Sequence, residues 1–363
     1  MTLTGKGMMI WQLSRVEKAS TIVSLAKAAG FTHVLIKIAD GSYTYNVDKT
    51  TGTDLVPEVV DALHSNGIQA WGWHYVYGNS PTGEAQIAIK RVKQLDLDGY
   101  VIDAEGEYKT SGRDVAAATF MTTLRASLPN TPIALCSYRW PTLHPQLPWK
   151  QFLEKCDYNM PQVYWQDAHN PAAQLKRCVT EFKAMTPFRP IIPTGPVYKY
   201  ASWEPTSADI SEFLTTAKEL ELSAANFFEW YYGRTILTSL WNTIAAFDWG
   251  DSSSNDDYPT QYIKALNTRN VTTISNLYAA NAVLVTSAKT VQGTTNIQSY
   301  FSTLLNQKLT GATFTLTGSN TSGNTRHFTW KAASSSGSVS DGNDTLGILD
   351  GKIAYHYSYY SVK

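Results

Sequence analysis

The sequence predicts an α/β fold: a (β/α)8 barrel over residues 1–248, a linker over 249–257, and a smaller, cone-shaped α+β domain over 258–363. Three observations carry this. Apolar runs of strand length alternate with helical patterns from Met8 to Trp249, which implies parallel strands with helices outside. There are eight such units in about 240 residues, the number and length that a closed barrel needs. After Trp249 the alternation stops, and helices are followed by a run of hairpin-type strands. A doubly wound open sheet is the alternative for the first part. It usually carries a Gly-rich phosphate loop after its first strand, and "WQLSRVEKAS" has none.

The strand-type runs are, in order, "MMIWQL" (8–13), "HVLIKIA" (33–39), "IQAWGWHYVY" (68–77) and "GYVIDAE" (99–105). "PIALCSY" (132–138), "YNMPQVYW" (158–165), "RPIIPTG" (189–195) and "AANFFEWYY" (224–232) complete the eight. The helices between them carry their own punctuation. "STIVSLAKAAG" closes on Gly30, a C-cap residue type. "DLVPEVVDALHSNG" opens on Asp54 and closes on Gly67. "NPAAQLKRCVTEFKAM" has Asn170 at the N-cap and Pro171 at the first helical position. Thr206 or Ser207, followed by Asp209 or Ile210, gives a partial capping box, and "RTILTSLWNTIAAF" (234–247) is the closing helix. "WGDSSSNDDYPT" (249–260) reads as a linker, because Ser, Asn, Asp and Gly cluster without periodicity. Beyond it come three helices and then strands of alternating, β-rich type, with a tight "DG" turn in "LDGKIAYHYSYY".

Composition narrows the function classes. The chain has 30 basic and 30 acidic residues, so no nucleic-acid surface or polybasic membrane patch is indicated. No run approaches the ~18 apolar residues of a membrane span. No secretory signal is visible at the N-terminus, which leaves a cytoplasmic protein or a mature secreted form. Three cysteines, Cys136, Cys156 and Cys178, without a C-x-x-C read as buried reduced thiols. His33, His64, His144 and His169 show no ligand spacing, so neither a metal nor a cofactor is implied. The aromatic content stands out, with 11 Trp and 21 Tyr. Such rings fill cores, and they also stack on sugar faces.

The chemistry concentrates in "DGYVIDAEGEYK", Asp98 to Lys109. It is the fourth strand, and active sites of such barrels lie at the C-terminal ends of the strands. Side chains alternate, so Val101, Asp103 and Glu105 face the mouth while Ile102 and Ala104 cover helices. Two carboxylates on one face repel, and one should keep its proton to higher pH. That suits a general acid working beside a charged carboxylate. The bland alternative is a structural ion pair, with Lys37 in "VLIKIA" as its partner. Glu107, two residues further out, reads as a solvated rim residue. The loop "SYRWPTLHPQLPW" (137–149) is a substrate wall or a stiff crossover.

These residues resemble the fourth-strand motifs of two families of barrel glycoside hydrolases. One is the family 25 lysozymes, whose strand ends in D-x-E. The other is the family 18 chitinases, with D-G-x-D-x-D-x-E, against which Asp98, Gly99, Asp103 and Glu105 match and Val101 replaces the middle Asp. "FTHVLIKIADGSYTYNVD" and "GIQAWGWHYVYGNSPTGEAQ", with His74 and Tyr75, resemble the second and third strands of family 25. The resemblance implies retaining, substrate-assisted hydrolysis of N-acetylated amino-sugar glycans of peptidoglycan or chitin type. Glu105 would be the acid, Asp103 the group that orients the substrate acetamido, and Tyr164 its hydrogen-bond partner. Lys37, His74, Tyr75, Gln162, Trp165, Glu229 and Trp230 would bind substrate. Two departures count against turnover. Strand one has no acid before Glu17, and Glu229 is the nearest counterpart of the family's strand-eight acid. A non-catalytic glycan-binding or scaffold protein with an eroded site is therefore the second reading.

Residues 258–363 resemble the SnoaL-like branch of the nuclear transport factor 2-like superfamily. The segments that carry this are "YIKALNTRNVTTISNLYAANAVLV", "TVQGTTNIQSYFSTLL" and "DGKIAYHYSYYSV". The resemblance implies helices on a curved sheet around a pocket, and a homodimer through the sheet. His327, Trp330, Asp344, His356 and Tyr357 are its candidate lining residues. No Asp–His pair stands out at a diagnostic position, so the domain reads as a binding or dimerisation module.

Overall fold

The computed structural model describes residues 3–249, 258–322, 324–349 and 352–363. The chain divides into two compact units, Met1–Trp249 and Gly250–Lys363. Residues 250–257 of the expected linker and the Asp350–Gly351 turn lie outside the described residues.

Eight parallel strands form the first unit: β1 (Gly5–Ile10), β2 (Phe31–Asp40), β3 (Gln69–Val76), β4 (Gly99–Ala104), β5 (Ile133–Tyr138), β6 (Tyr158–Gln162), β7 (Thr194–Pro196) and β8 (Ala224–Phe228). Each pairs in parallel with the next, and β1 pairs with both β2 and β8, so the sheet closes into a TIM barrel. A two-residue strand, Tyr43–Thr44, adds antiparallel to the end of β2. The helices outside are α1 (Ala19–Ala28), α2 (Val56–His64), α3 (Pro81–Gln94), α4 (Arg113–Ser127), α5 (Trp149–Leu153), α6 (Pro171–Lys183), α7 (Ser207–Glu219), α8 (Trp230–Thr235) and α9 (Thr238–Ala246).

Alternation along the strands sorts the barrel into two cores. Met9, Leu35, Trp71, Trp73, Val101, Ala134, Cys136, Met160 and Ile192 fill its interior. Met8, Val34, Ile36, Ile102 and Leu135, one residue off, pack under the helices. Each fully buried Leu or Ile contributes about 1.5–3 kcal/mol, so a register slip of one residue is strongly disfavoured. Gly99 is required in that interior, because a Cβ there would collide with the Trp71 ring. Asp98, just before it, accepts from the Ala70 amide (2.7 Å) and pairs with His64 (2.9 Å). Half of the D-G-x-x-x-D-x-E pattern is thus structural.

Helix ends follow the residue types. Gly30 and Gly67 take φ of +65° and +71°, the left-handed cap conformation. Thr206 and Asp209 form a full capping box on α7. Pro171 opens α6, but the Asn170 side chain accepts from Gln174 rather than from the helix amides. The last strand is shorter than the sequence suggests. It ends at Phe228, and 230–232 belong to α8.

The second unit has α10 (Tyr258–Thr268), α11 (Val271–Ser275) and α12 (Thr294–Thr303), with β9 (Tyr278–Thr286), β10 (Thr290–Gln292), β11 (Thr313–Ser322), β12 (Thr325–Ala333), β13 (Ser338–Leu349) and β14 (Lys352–Tyr359). The sheet order is β10-β9-β14-β13-β12-β11, antiparallel except for β9 with β14. One sheet face, with Phe314, Phe328, Trp330, Leu346 and Ile353, packs on Tyr262, Leu266, Ile297 and Phe301 of the helices. Among the described residues, no helix is long and apolar enough to cross a membrane.

Candidate active site at the barrel mouth

The barrel register brings the expected carboxylates to an open cleft. Tyr75 pairs with Asp103 across β3–β4, and Asp103 with Cys136 across β4–β5. These three residues therefore stand side by side, above the packed layer of Trp73, Val101 and Ala134. The cleft is lined by Met9, Trp11, Lys37, Trp73, Tyr75, Asp103, Glu105, Cys136, Gln162, Tyr164 and Phe228, and has a volume of about 190 Å³.

Gln162, the last residue of β6, ties the two acids together. Its Nε2 donates to Asp103 Oδ1 (3.1 Å) and to Glu105 Oε1 (2.8 Å). An amide nitrogen has two protons to give, so both bonds are satisfiable at once. Burial, followed by the like charge of Glu105, pushes the Asp103 carboxyl well above the usual carboxylate range. Lys37 offsets this only in part, and a hydrogen bond to Glu105 keeps the proton on the pair. The pair thus holds a proton to higher pH than a lone carboxylate would.

Lys37 is not the pair's structural partner. Its Nζ bonds Asp40 Oδ2 at 2.5 Å and lies over the rings of Tyr45 (4.4 Å) and Trp73 (4.9 Å). Asp40 also accepts from Tyr77 (2.8 Å). Glu107 is more than a rim residue: it accepts from the Tyr75 hydroxyl (2.8 Å) and so aims that ring at the cleft. Burial first, then Glu105 and Glu107, raises the Tyr75 phenol far above its ordinary value, so it stays a donor. Tyr164 is likewise held protonated, chiefly by burial, and packs edge-on against Tyr198 at 5.3 Å.

Several sequence-expected residues lie elsewhere. Trp165 is fully buried against Phe213 under the helices, one residue off the inward face. Trp230 sits in α8, packed on Phe31 and Trp241, with its indole N–H given to Glu17 (2.9 Å). His74 points outward, wedged between the Tyr100 hydroxyl and the Gly41 carbonyl. Glu229 accepts from the Tyr231 amide as the N-cap of α8 and does not line the cleft. In their place Trp11, Trp73, Met9 and Phe228 supply the apolar walls. Period-two alternation from Tyr75 back to Trp73 was the available signal for one of them.

In the second unit the expected lining residues separate. His327 and Tyr357 are exposed on the outer sheet face, with His327 bonded to Thr345. Trp330, Asp344 and His356 are on the inner face and sealed, with exposures of 2%, 0% and 0%. An Asp–His pair does exist there: His356 Nε2 meets Asp344 Oδ2 at 3.0 Å, and its Nδ1 meets the Tyr278 hydroxyl at 2.7 Å. Ser358 donates to the other Asp344 oxygen (2.7 Å). The pair was hidden in sequence because it joins two strands across a hairpin. All three cysteines are buried and unpaired.

Fold and site together define a TIM barrel with a carboxylate-lined mouth, joined to a second α+β unit. That second unit is a SnoaL-like domain, matched by the SnoaL-like domain family model over residues 260–356. Solved structures similar to it include an NTF2-like protein of unknown function from Cytophaga hutchinsonii, at 13% identity over 30% of this chain and 90% of that one, TM-score 0.26. Another, from Mesorhizobium loti, is 16% identical over 30% of this chain and 93% of that one, TM-score 0.27. The barrel is similar in fold to a family GH18 chitinase from Cycas revoluta solved in complex with allosamidin. Identity there is 11%, covering 66% of this chain and 98% of that one, TM-score 0.51. No curated protein sequence matches the chain.

Proposed function

We propose that the barrel is a glycoside hydrolase that cuts N-acetylated amino-sugar glycans, of chitin or peptidoglycan type, with retention. The observation that carries this reading is the Asp103–Glu105 pair, bridged by Gln162 in a cleft walled by Trp11, Trp73, Tyr75 and Tyr164. A cleft of about 190 Å³ suits one sugar ring, with aromatic faces to stack on it. The likeness in fold to a chitinase supports the reaction class.

The two acids are adjacent on one strand and so cannot bracket a ring at the ~5–5.5 Å needed for a directly attacking carboxylate. The substrate's own acetamido oxygen is the nucleophile that fits. Asp103 holds the pair's proton at rest and passes it across their hydrogen bond to Glu105, which protonates the glycosidic oxygen as the C1–O bond breaks. The acetamido oxygen bonds to C1 from the other face, and Asp103, now charged, stabilises the cationic ring so formed. Tyr164 donates to the acetamido oxygen and orients it. Water then opens that ring, its proton returning to Glu105, and the configuration at C1 is retained.

A second reading, a barrel that binds sugar without cutting it, is favoured by one observation. Met9 of β1 and Trp11 just after it line the cleft where an acid would stand, and Glu229 does not line it. One experiment separates the two: turnover and binding of chitin oligomers and cell-wall glycan by the native protein and by Glu105→Gln. The hydrolase reading expects native turnover that falls about a hundredfold or more in the variant, with binding retained. Binding without native turnover on either glycan would replace it with the second reading.

A further inference from the structure

A second cavity adjoins the cleft, built from the loops that follow β5 and β6. It has a volume of about 340 Å³ and shares Gln162 and Tyr164 with the cleft. Its other walls are Tyr138, Arg139, Trp140, His144, Gln166 and Asp167, with Leu143 at the edge. The half-buried charge here is cationic. Arg139 is half-buried, and its Nε is sealed from solvent without a partner. It makes no ion pair or hydrogen bond with any described residue, and its guanidinium rests on the Trp140 ring at 4.4 Å. The opposing contact is Arg177, 3.9 Å from the same ring, but Arg177 is committed to Glu181 (2.6 Å).

Lys109, outside the lining, acts on it through His144. Its Nζ donates to His144 Nδ1 (2.8 Å) and lies 3.8 Å from the Tyr138 ring, on which His144 is stacked at 3.9 Å. This bond fixes the His144 tautomer, leaving Nε2–H free to donate. Asp167 is the one carboxylate in the lining, and it is exposed. A half-buried guanidinium without an anion costs stability unless something supplies one. Its planar fork matches a carboxylate or a phosphate.

We infer that this cavity is a subsite for an anionic substituent, carboxylate or phosphate, on the sugar next to the one held at Asp103 and Glu105. This rests on the hydrolase or sugar-binding reading of the cleft and narrows its substrate to glycans carrying acidic groups. Arg139 is the principal contact, with the His144 Nε2–H beside it, and the 137–149 loop is a substrate wall.

The test is calorimetric binding of three disaccharides to the native protein, Arg139→Gln and Arg139→Lys. The probes are neutral di-N-acetylchitobiose, its 6-phosphate, and N-acetylglucosaminyl-N-acetylmuramic acid with its free carboxylate. The native protein should prefer at least one charged probe by about tenfold or more. Which of the two it prefers distinguishes phosphate from carboxylate. That preference should shrink from about 20 mM to about 500 mM salt. It should fall towards unity in Arg139→Gln and survive in part in Arg139→Lys. Should Arg139→Gln fail to fold, the salt dependence of the native preference decides alone. Equal affinity for all three probes, or a preference that Arg139→Gln leaves intact, overturns the subsite and leaves the cleft's sugar reading standing. Binding of none of the three overturns both.

Discussion

Each unit of this chain buries a carboxylate, and the two are built in opposite ways. At the barrel mouth, Asp103 and Glu105 crowd one face beside open space, and the neighbouring cation Lys37 is committed to Asp40. In the second unit, Asp344 is sealed, and both its oxygens have partners in His356 and Ser358. A closed, satisfied network holds a fold in one arrangement. A crowded pair beside a cleft costs stability, as expected of the site proposed for the barrel. The same residue types thus separate by what surrounds them, and that contrast can be tested.

The largest effect of a single substitution is expected in the second unit. Replacing His356 by Ala strands a buried Asp344 and should cost about 3–5 kcal/mol in urea unfolding. Turnover by the barrel should not change. If the stability barely moves, the cluster is not structural and belongs with the sites.

The next effect concerns pH. His33 and His74 are buried and neutral, and burial lowers each pKa to about 4 from an ordinary 6.5. The unfolded chain binds these protons first, so the stability they contribute is complete above about 6.5 and is lost as pH falls towards 4. Each should remove about 3 kcal/mol across that window. Asp103 acts with the opposite sign. Its raised pKa means that the cost of its charge is relieved as pH falls. A urea midpoint for the barrel that stays flat from pH 7 to 4 would contradict the histidine assignment.

The smallest shift is at the mouth itself. Asp103→Asn removes the like-charge crowding and should stabilise the barrel by about 1 kcal/mol. It should also lower turnover at least tenfold. A destabilised Asp103→Asn would place Asp103 with the structural acids, alongside Asp344.

Much of this was legible in the sequence wherever periodicity alone decides. Eight alternating units close into a barrel, and period two places Asp103 and Glu105 inward at the end of β4. The errors fall where a strand ends. Trp165 lies three residues beyond the last paired residue of β6 and packs under the helices, and Trp230 and Glu229 belong to the start of α8 rather than to β8. Propensity cannot place a strand end to within two residues, and a shift of one reverses the face. His74 shows the same rule within a strand: next to Tyr75, it must point the other way. The Asp344–His356 pair depends on hairpin register, set over residues that show no motif.

The most direct measurement is the configuration of the first product. Proton NMR during cleavage of a β-linked N-acetylglucosamine oligomer by the native protein reads it before mutarotation. The expected first product is the β anomer, since an acid on one strand and an acetamido nucleophile together retain configuration. An α anomer first, or no product from this oligomer or from cell-wall glycan, would contradict the assignment of Glu105 and Asp103.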